Sequence, residues 1–373
     1  MPGMTIQDKK KIRVAVGLSG GVDSAVTAHL LLQEGYRVFG ITMQTWDGSV
    51  SVLTTERSGC FGPGEIHDIQ SARQHAERLG IEHHIIPMAE EYREEILGHF
   101  RAEYMAGRTP NPCVRCNRLI KFGGLLRRAA EIGLDFDFFA TGHYARVQIS
   151  PANGRFLLKK GLDARKDQSY FLSHLGQDQL SRCLFPLGEL TKVEVRELAR
   201  QMNWLDLVEK RESQDFIDGG KHDPLFQGCT PRPGAFVDQE GRVLGSHRGI
   251  IHYTIGQRKG LGLNTTGEPL YVLRIDEAEN TVTVGPREKL LSRRFFARDL
   301  NWISIEKPGP EPMRLHARIR QQHQEAPAVV FPPREEGDTG LEVVFDEPQL
   351  SITPGQTVVF YDGETVVGAG TIA

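Results

Sequence analysis

The first third of the chain alternates short apolar runs with helical patterns. Ile12–Leu18 and Arg37–Met43 are typical of buried strands, and Ser24–Glu34 between them is typical of a helix. Strands that alternate with helices in this way form parallel sheets whose faces the helices cover. The pattern therefore predicts an α/β fold at the start of the chain.

The same alternation continues towards the middle of the chain. A helical face over residues 69–79 precedes the apolar run His84–Pro87, and Phe136–Ala140 predicts another buried strand. A capping box from Thr191 to Glu194 predicts the start of a later helix. The α/β region is thus expected to extend to about residue 212.

The pattern changes after about Glu212, where Gly and Pro punctuate the chain, and short strands replace helical periodicity from about Arg287. Val358–Tyr361 and Thr365–Ala369, joined through Asp362-Gly363, predict a hairpin. We therefore predict three domains. They are an N-terminal parallel sheet with flanking helices over 1–212, a small central domain over 213–286 and a C-terminal β-barrel over 287–373.

Charge and terminal sequence restrict the possible partners and location. The 45 Lys and Arg residues against 48 Asp and Glu give a formal net charge of -3, so a nucleic acid would have to bind a local basic face. Residues 1–11 lack the apolar core of a signal peptide, and no apolar stretch reaches the length of a membrane span. We expect a cytoplasmic protein without a membrane partner.

A glycine-rich loop, Gly17–Ser24, lies between the first predicted strand and helix. Amides at a helix N-terminus face outward with a partial positive charge, which favours a bound phosphate. Gly20 and Gly21 allow close approach of the backbone, and Ser19 and Ser24 supply hydroxyl donors. The structural alternative is a tight glycine turn with a serine cap.

No Gly-Lys-Ser/Thr follows this loop, so it is not a Walker loop, and its glycine spacing fits a dinucleotide fingerprint poorly. The Ser-Gly-Gly-Val-Asp-Ser sequence instead resembles the pyrophosphate loop of ATP pyrophosphatase-type enzymes. That resemblance implies cleavage of ATP between its α and β phosphates. The superfamily includes amide-forming synthetases, sulfate-activating enzymes and RNA thiolases, so the loop alone leaves the substrate open.

A Cys-x-x-Cys pair, Cys113 and Cys116, is flanked by basic residues: Arg108, Arg115, Arg118 and Lys121. Neighbouring cations lower the pKa of a thiol, so we expect thiolate here. Pro110 and Pro112 predict an extended loop before a helix that follows Lys121. The pair alone suits a zinc half-site, an iron–sulfur half-site, a redox dithiol or a nucleophile with a neighbour.

This segment and the glycine-rich loop together resemble the tRNA-specific 2-thiouridylase family. The resemblance runs nearly end to end through separate motifs: Thr109–Pro112 with Cys116-Asn117 and Ile120–Phe122, Met43 and Trp46, Ala140–Tyr144, Lys166–Phe171, Gly256–Gly262, and Pro354–Gln356 with Phe360-Tyr361. It implies an adenine-nucleotide α-hydrolase-like catalytic domain, followed by central and C-terminal domains that bind tRNA.

The resemblance also implies roles for individual residues. Cys116 corresponds to the nucleophile, with Cys113 and Asp23 as further catalytic candidates. The implied ATP-binding residues are Gly17, Leu18, Ser19, Gly20, Gly21, Val22, Asp23, Ser24, Met43 and Gly142. The implied target-base and tRNA residues are Asn111, Pro112, Cys113, His143, Lys166, Asp167, Gln168, Arg318 and Gln356. Lys166 and Arg318 also suit phosphate by charge alone, although either fits an ordinary solvated surface.

The chain departs from the family pattern at two positions. Cys113 stands where the family has an acidic residue, and Ile217 stands where it has a second catalytic cysteine. One hypothesis is a [4Fe-4S] cluster held by Cys113, Cys116 and a third cysteine, for which Cys60 is preferred over Cys229. The alternative is a persulfide on Cys116 that a donor protein refreshes directly.

The expected reaction is ATP-dependent 2-thiolation of uridine at the wobble position of tRNA through an adenylated base. Mg²⁺ would accompany ATP, with Asp23 as its ligand or as a loop-orienting carboxylate, and a donor protein or sulfide would supply sulfur. Two rival readings are an amidotransferase-like synthetase and a tRNA-binding protein whose ATPase has decayed. The sequence leaves the sulfur donor, the tRNA set and the oligomeric state open.

Overall fold

The computed structural model describes residues 6–52, 59–209, 215–218, 222–263, 268–333 and 340–373. The chain divides into two compact units. The first comprises residues 1–96, 113–224 and 364–366, and the second comprises residues 97–112, 225–363 and 367–373.

The described residues form strands, α-helices, π-helical turns and 3₁₀ turns along the chain. The strands are β1 Arg13–Gly17, β2 Arg37–Gln44, β3 Gly59–Phe61, β4 His83–Pro87, β5 Phe138–Ala140, β6 Ala145–Ile149, β7 Phe156–Lys160, β8 Cys183–Leu184, β9 Asp215–Ile217, β10 Gly234–Val237, β11 Val243–His247, β12 Tyr271–Asp276, β13 Thr281–Gly285, β14 Leu291–Trp302, β15 Met313–Arg318, β16 Ala326–Phe331, β17 Leu341–Leu350, β18 Thr357–Asp362 and β19 Thr365–Ile372. The α-helices are α1 Ile6–Lys9, α2 Val22–Gln33, α3 Glu65–Leu79, α4 Ala89–Tyr92, α5 His99–Met105, α6 Pro112–Cys116, α7 Leu125–Glu131, α8 Ser169–Leu172, α9 Gln177–Ser181, α10 Lys192–Gln201 and α11 Leu205–Glu209. Wider π-helical turns span Arg93–Gly98 and Asn117–Gly124, and 3₁₀ turns span Pro186–Glu189, Asp223–Phe226, Ile250–His252 and Arg287–Leu290.

The first unit is built on a parallel sheet with the strand order β4-β2-β1-β5-β8. Every pairing in this sheet is parallel, and the central strand β1 buries Val14, Ala15 and Val16 completely. A strand covered on both faces must be apolar along its length, which is the pattern that the sequence showed. The predicted parallel α/β region is confirmed.

The Cys-x-x-Cys segment is helical. Pro112 opens α6, which contains both cysteines and continues through the π-helical turns into α7. The predicted extended loop is wrong. Proline lacks a backbone N–H, but the N–H at the first helical position has no acceptor within the helix, so proline is tolerated there. The helix therefore begins about ten residues earlier than the sequence suggested.

Two small β-elements of the first unit were not predicted. Strands β6 and β7 form an antiparallel hairpin. Strands β3 and β9 form a separate two-stranded parallel sheet, in which Gly59 faces Asp215 and Phe61 faces Ile217. The second pairing joins segments more than 150 residues apart in the chain, which no local pattern reveals.

The second unit contains the later β-sheets. Strands β11-β10-β13-β12 form a four-stranded sheet whose core includes Phe236, Val272 and Val282. The order β14-β17-β16-β15-β18-β19 closes on itself through pairing of β14 with β19. The predicted C-terminal β-barrel is therefore confirmed, with Phe345 and Phe360 among its fully buried side chains.

The domain boundaries and the cellular location stay predictions. The division into three domains at 212/213 and 286/287 is one of them, and residues 212–214 lie outside the described ranges. The cytoplasmic location is the other. Among the described residues, no helix combines the length and apolarity required to cross a bilayer.

Candidate functional site

The glycine-rich loop connects β1 to α2, as predicted, and is held by short-range hydrogen bonds. The amide of Ser19 donates to Oγ of Ser24 at 3.2 Å, and Oγ of Ser24 donates to the carbonyl of Gly21 at 2.9 Å. Gly21 precedes the first turn of α2 in an extended conformation, with φ -100° and ψ 162°. The loop therefore wraps over the N-terminus of a twelve-residue helix, where an anion is favoured.

Gly20 has a backbone conformation that excludes other residues. Its φ is +72°, and an added Cβ would lie 2.4 Å from the carbonyl oxygen of Asp68. The left-handed φ and the close approach both require glycine. The carbonyl of Asp68 thus fixes the outer edge of the loop.

Asp23 is bound by two partners that the sequence did not indicate. Nζ of Lys192 lies 2.8 Å from Oδ1 and 2.7 Å from Oδ2, and the hydroxyl of Tyr144 donates to Oδ1 at 2.8 Å. The Lys192 side chain is 7% exposed and that of Asp23 is 28% exposed. Both oxygens of Asp23 are therefore held by partners within the protein, and its roles as a magnesium ligand or as a loop-orienting carboxylate both stay predictions.

The predicted ATP residue Gly142 lies against the start of α2. An added Cβ at Gly142 would come within 2.8 Å of the carbonyl carbon of Asp23, so the segment after β5 packs directly on the loop. His143, the next residue, contacts Phe122 and Phe185 at ring distances of 5.9 and 6.1 Å. Burial holds the pKa of His143 well below its usual value, and the charge of Lys121 adds to this effect.

Met43 lies in β2, and the turn that follows is held by a buried carboxylate of α3. Oε1 of Glu65 accepts from the amide and hydroxyl of Thr45 at 2.8 and 2.7 Å, and Oε2 accepts from the amide of Trp46 at 2.8 Å. Burial raises the pKa of Glu65, and these donors oppose that rise. Glu65 therefore fixes the backbone that continues the predicted ATP site.

Cys116 is a protonated thiol in this conformation. Burial raises its pKa to about 12, the charge of Lys121 opposes the rise, and Cys60 adds to it. Arg115 does not act on the thiol as expected, because its guanidinium pairs with Glu95 at 2.7 Å. The predicted thiolate is therefore wrong for Cys116 in the resting protein, since burial outweighs the neighbouring cations.

Cys60, Cys113 and Cys116 all lie within electrostatic range of Tyr92. The pKa of Tyr92 is raised well above its usual value by burial, then by Cys116, Cys60 and Cys113 in that order. The Tyr92 ring stacks on Phe61 of β3, with centroids 5.3 Å apart. The structure thus brings the three candidate cysteines into one neighbourhood of the first unit.

This neighbourhood does not fit a metal centre as it stands. Within the described ranges, no three His, Cys, Asp or Glu side chains are placed to hold one metal ion. Among the described residues, the set Cys60, Cys113 and Cys116 therefore does not match the ligands of an iron–sulfur cluster in this conformation. Cys183 is buried in the core, as expected, and Cys229 is exposed.

The Lys166-Asp167-Gln168 segment supports the fold of its own loop. The buried carboxylate of Asp167 accepts from the amide of Gly161 at 3.2 Å and from the amide and hydroxyl of Ser169, both at 3.0 Å. Oε1 of Gln168 accepts from the amide of Tyr144 at 2.9 Å. The Asp167 side chain is withdrawn from solvent, and its role in tRNA binding stays a prediction.

In the second unit, Gln356 contacts the chain that leads to the target-base segment. Its Nε2 donates to the carbonyls of Thr109 at 2.8 Å and Pro110 at 3.3 Å, directly before Asn111 and Pro112. Arg318 ends β15 and donates to the carbonyl of Gln321. The roles of Gln356 and Arg318 in tRNA binding stay predictions.

Relatives match this chain over nearly its full length. The tRNA-specific 2-thiouridylase MnmA of Acetivibrio thermocellus is 44% identical over 367 residues, which cover 97% of this chain and 99% of the relative. The MnmA of Carboxydothermus hydrogenoformans is 45% identical over 374 residues, 99% of each chain. MnmA 1 of Caldanaerobacter subterraneus subsp. tengcongensis is 46% identical over 365 residues, 96% of this chain and 97% of the relative. The chain belongs to the tRNA-specific 2-thiouridylase family.

Three domain families match this 2-thiouridylase chain in succession. The tRNA methyl transferase HUP domain matches residues 12–218, the tRNA methyl transferase PRC-barrel domain matches 223–286 and the aminomethyltransferase β-barrel domain matches 292–372. The predicted fold class is confirmed by these matches together with the sheets described above. Family membership confirms the predicted class of enzyme, a sulfurtransferase.

Sequence reasoning missed several polar residues of the 2-thiouridylase site. Lys192 and Tyr144 hold Asp23, and Glu65 holds the turn after β2. Asp218 holds the segment around Cys60 by accepting from the amides of Gly59 at 2.6 Å and Gly64 at 2.7 Å. Each acts across a long stretch of sequence, so no motif spacing points to it.

Proposed function

We propose that this chain uses ATP to activate the C2 oxygen of uridine at the wobble position of tRNA and replaces that oxygen with sulfur. The relatives that match it nearly end to end carry the name tRNA-specific 2-thiouridylase. The HUP-type sheet and its glycine-rich loop support the use of ATP. Transfer RNA and a sulfur-donor protein or sulfide are the partners, and the cytoplasm is the proposed location.

One observation carries this proposal: the phosphate loop and the thiols share charged neighbours. The backbone of Asp68 lies against Gly20. The protein around Cys60 desolvates its thiol and raises the pKa although the residue still reaches solvent, and the charge of Asp68 adds to that rise. Lys121 acts on Cys60, Cys116 and His143. Nucleotide activation and sulfur delivery are therefore supported by one connected region of the first unit.

The proposed chemistry begins at the loop. The uridine C2 oxygen attacks the α-phosphorus of ATP, and pyrophosphate leaves with its developing charge stabilised by the loop amides and the hydroxyls of Ser19 and Ser24. Mg²⁺ accompanies the phosphates, and Asp23, held by Lys192 and Tyr144, keeps the loop in place. The target base must leave its stack to reach this position.

The second half of the reaction takes place at the cysteines. A donor persulfide first places its outer sulfur on Cys116. That outer sulfur attacks C2 of the adenylated uridine, and AMP leaves with the former base oxygen. A thiol that attacks Sγ of Cys116 breaks the S–S bond, whose electron pair stays on the transferred sulfur, and a disulfide with Cys116 remains. Because the pKa of Cys116 is raised to about 12, the free thiol is a weak nucleophile at neutral pH. Substrate binding must therefore change its surroundings, or the attacking sulfur must be one that a donor has already attached.

An isotope experiment tests the adenylated base. Unmodified tRNA is transcribed with uridine carrying ¹⁸O at C2 and incubated with the protein, ATP, Mg²⁺ and sulfide. We expect 2-thiouridine in the nucleoside digest and one ¹⁸O in each AMP released. Cys229→Ser serves as the control variant, because Cys229 is exposed and lies in the second unit.

The possible results separate three readings. Formation of 2-thiouridine with unlabelled AMP would rule out transfer of the base oxygen to phosphorus. Labelled AMP without 2-thiouridine would show that ATP activates the base and that sulfur delivery fails. Binding of tRNA with neither product would support the reading in which the ATPase has decayed.

A further inference from the structure

The approach segment, residues 107–110, leads directly to the predicted target-base positions Asn111 and Pro112. It belongs to the second unit. Pro112 opens α6, the helix that contains Cys116. A displacement of about 1 Å can slow a positioned reaction roughly a hundredfold. Contacts that hold the approach segment therefore bear on the rate at which a bound base reacts.

The turn before β18 makes three hydrogen bonds to the approach segment. The carbonyl of Pro354 accepts from the amide of Thr109 at 2.9 Å. Nε2 of Gln356 donates to the carbonyls of Thr109 at 2.8 Å and Pro110 at 3.3 Å. Because a carbonyl can only accept, these two oxygens determine which way round the Gln356 amide lies. Both N–H groups of Gln356 are thus directed at the approach segment.

That turn is itself fixed to the barrel. Gly355 has a φ of +90°, which favours glycine, and an added Cβ would lie 3.0 Å from the backbone of Thr109. The amide of Gly355 donates to the carbonyl of Ile372 at 2.9 Å, and the amide of Ile372 donates to the carbonyl of Gln356 at 2.8 Å. Ile372 is 1% exposed in the barrel core. The Gln356 side chain therefore extends from a rigid support.

A second support reaches the approach segment from the four-stranded sheet. Oγ1 of Thr109 donates to Oγ1 of Thr254 at 3.2 Å. Oε1 of Gln257 accepts from the amide of Thr254 at 3.1 Å, and the amide of Gln257 donates to the carbonyl of Thr254 at 3.0 Å. The carbonyl of Gln257 accepts from the amide of Val272 at 3.0 Å, and Val272 is fully buried in β12. The Gly256–Gly262 motif thus fixes Thr254 on the sheet.

We propose that Gln356 and Thr254 are positioning residues for the target base. They hold the approach segment from two sides, and the covalent chain carries that constraint to Asn111 and Pro112. This inference rests on the proposed function and adds to it the residues that set the geometry of the bound uridine. Both act through the approach segment and need no contact with the reacting atoms.

A positioning residue and a tRNA contact differ in the kinetic step that they affect. Loss of a contact with tRNA weakens binding and leaves the reaction of bound tRNA unchanged. Loss of a positioning residue slows the reaction of tRNA that is already bound. The rate of a single turnover with saturating protein, measured beside the dissociation constant for tRNA, therefore separates the two roles.

The first pair of variants tests the barrel support. Gln356→Met keeps the length of the side chain and removes both donors. Gln349→Met is the matched control, because Nε2 of Gln349 donates to the carbonyl of Glu347 at 2.9 Å in the same barrel. Protein in excess is mixed with unmodified tRNA, ATP, Mg²⁺ and sulfide, and 2-thiouridine is measured over time. We expect the rate to fall about 10- to 100-fold in Gln356→Met and to stay within about twofold in Gln349→Met.

The second pair tests the support from the four-stranded sheet. Thr254→Val removes the hydroxyl at nearly constant shape, whereas Thr254→Ser keeps it, together with the hydrogen bond that Tyr104 makes to it. The single-turnover rate should fall about 3- to 10-fold in Thr254→Val and stay within about twofold in Thr254→Ser. The dissociation constant for tRNA, from filter binding, should stay within about twofold in both.

Three results would overturn the proposal. They are an unchanged rate in Gln356→Met and Thr254→Val, a change in Gln356→Met confined to the dissociation constant for tRNA, and equal losses in Thr254→Val and Thr254→Ser. Urea midpoints and ATP affinity equal to those of the wild type show that a variant is folded. Gln356→Glu, which also lacks donors for the two carbonyls, replaces Gln356→Met if that variant is unstable. If the wild-type protein made no 2-thiouridine, the proposed function itself would fail.

Discussion

The phosphate loop and the thiol region belong to the same compact unit but are built in different ways. The loop is formed by eight consecutive residues, and Ser19, Gly21 and Ser24 bond to one another. The thiol region combines β3, β9 and α6, which lie far apart in the chain. The loop is preorganised for an anion, whereas Cys116 is held protonated.

This contrast shows how the two half-reactions are supported. Binding and splitting ATP need fixed donors, and a local loop supplies them at little entropic cost. Sulfur transfer needs a nucleophile that stays unreactive until substrate arrives, and burial provides that restraint. A change confined to one region should therefore leave the other unaffected.

The largest effect is expected at Cys116. Cys116→Ser should lower 2-thiouridine formation from glutathione persulfide by at least about a thousandfold, because the attachment point for sulfur is lost. ATP affinity, measured by calorimetry, should stay within about twofold, since the loop is built without this residue. Cys229→Ser should be unchanged in both measurements, and a parallel loss of ATP affinity in Cys116→Ser would contradict the independence of the regions.

The Lys192–Asp23 ion pair at the loop should have the second-largest effect. Lys192→Met leaves the partly buried Asp23 without its cation, and we expect a loss of about 2–3 kcal/mol in the free energy of unfolding, less than for a fully buried pair. Lys9→Met is the matched control, because the Lys9–Glu34 pair is more exposed, with side chains 16% and 50% exposed, and should contribute about 0–1 kcal/mol. Urea titration followed by circular dichroism compares the two, and equal losses would rule out a special role for Lys192.

Gly20 should be sensitive to a single methyl group. Gly20→Ala combines a left-handed φ of +72° with a contact at 2.4 Å, and we expect ATP affinity to fall roughly 10- to 100-fold, from about 1–3 kcal/mol of strain. Gly48→Ala shares the left-handed backbone, with φ +82°, but meets nothing within 4 Å. If both variants bound ATP equally well, the close approach of Asp68 would not be what fixes the loop.

The smallest effect concerns pH and Cys116. Because its pKa is raised to about 12, only about one thiol in ten thousand is ionised at pH 8, and iodoacetamide labelling should rise about tenfold per pH unit above that. Raising the pH favours the thiolate, so the rate must increase. Peptide mass spectrometry checks this. A labelling rate that levels off near pH 7 would show a thiolate in the resting protein.

Local sequence was sufficient where short-range forces decide the structure. Apolar periodicity predicts the strands around Val14 and Ile41 and the helix after the loop, and helix-capping residues predict the helix start at Thr191. It failed at Pro112, because proline fits an extended segment and a first helical turn equally well. It failed for the thiol because the burial of Cys116, which local spacing does not reveal, outweighs the neighbouring cations.

By itself, the sequence determined the α/β class, the phosphate loop and the family, since each depends on residues that are consecutive or regularly spaced. Only the tertiary structure decided that Lys192 neutralises Asp23, that Asp218 fixes the segment around Cys60 and that Phe61 pairs with Ile217. Those contacts join residues more than 150 positions apart. The physical reason is that strand register and burial set such neighbours, and neither is encoded in local spacing.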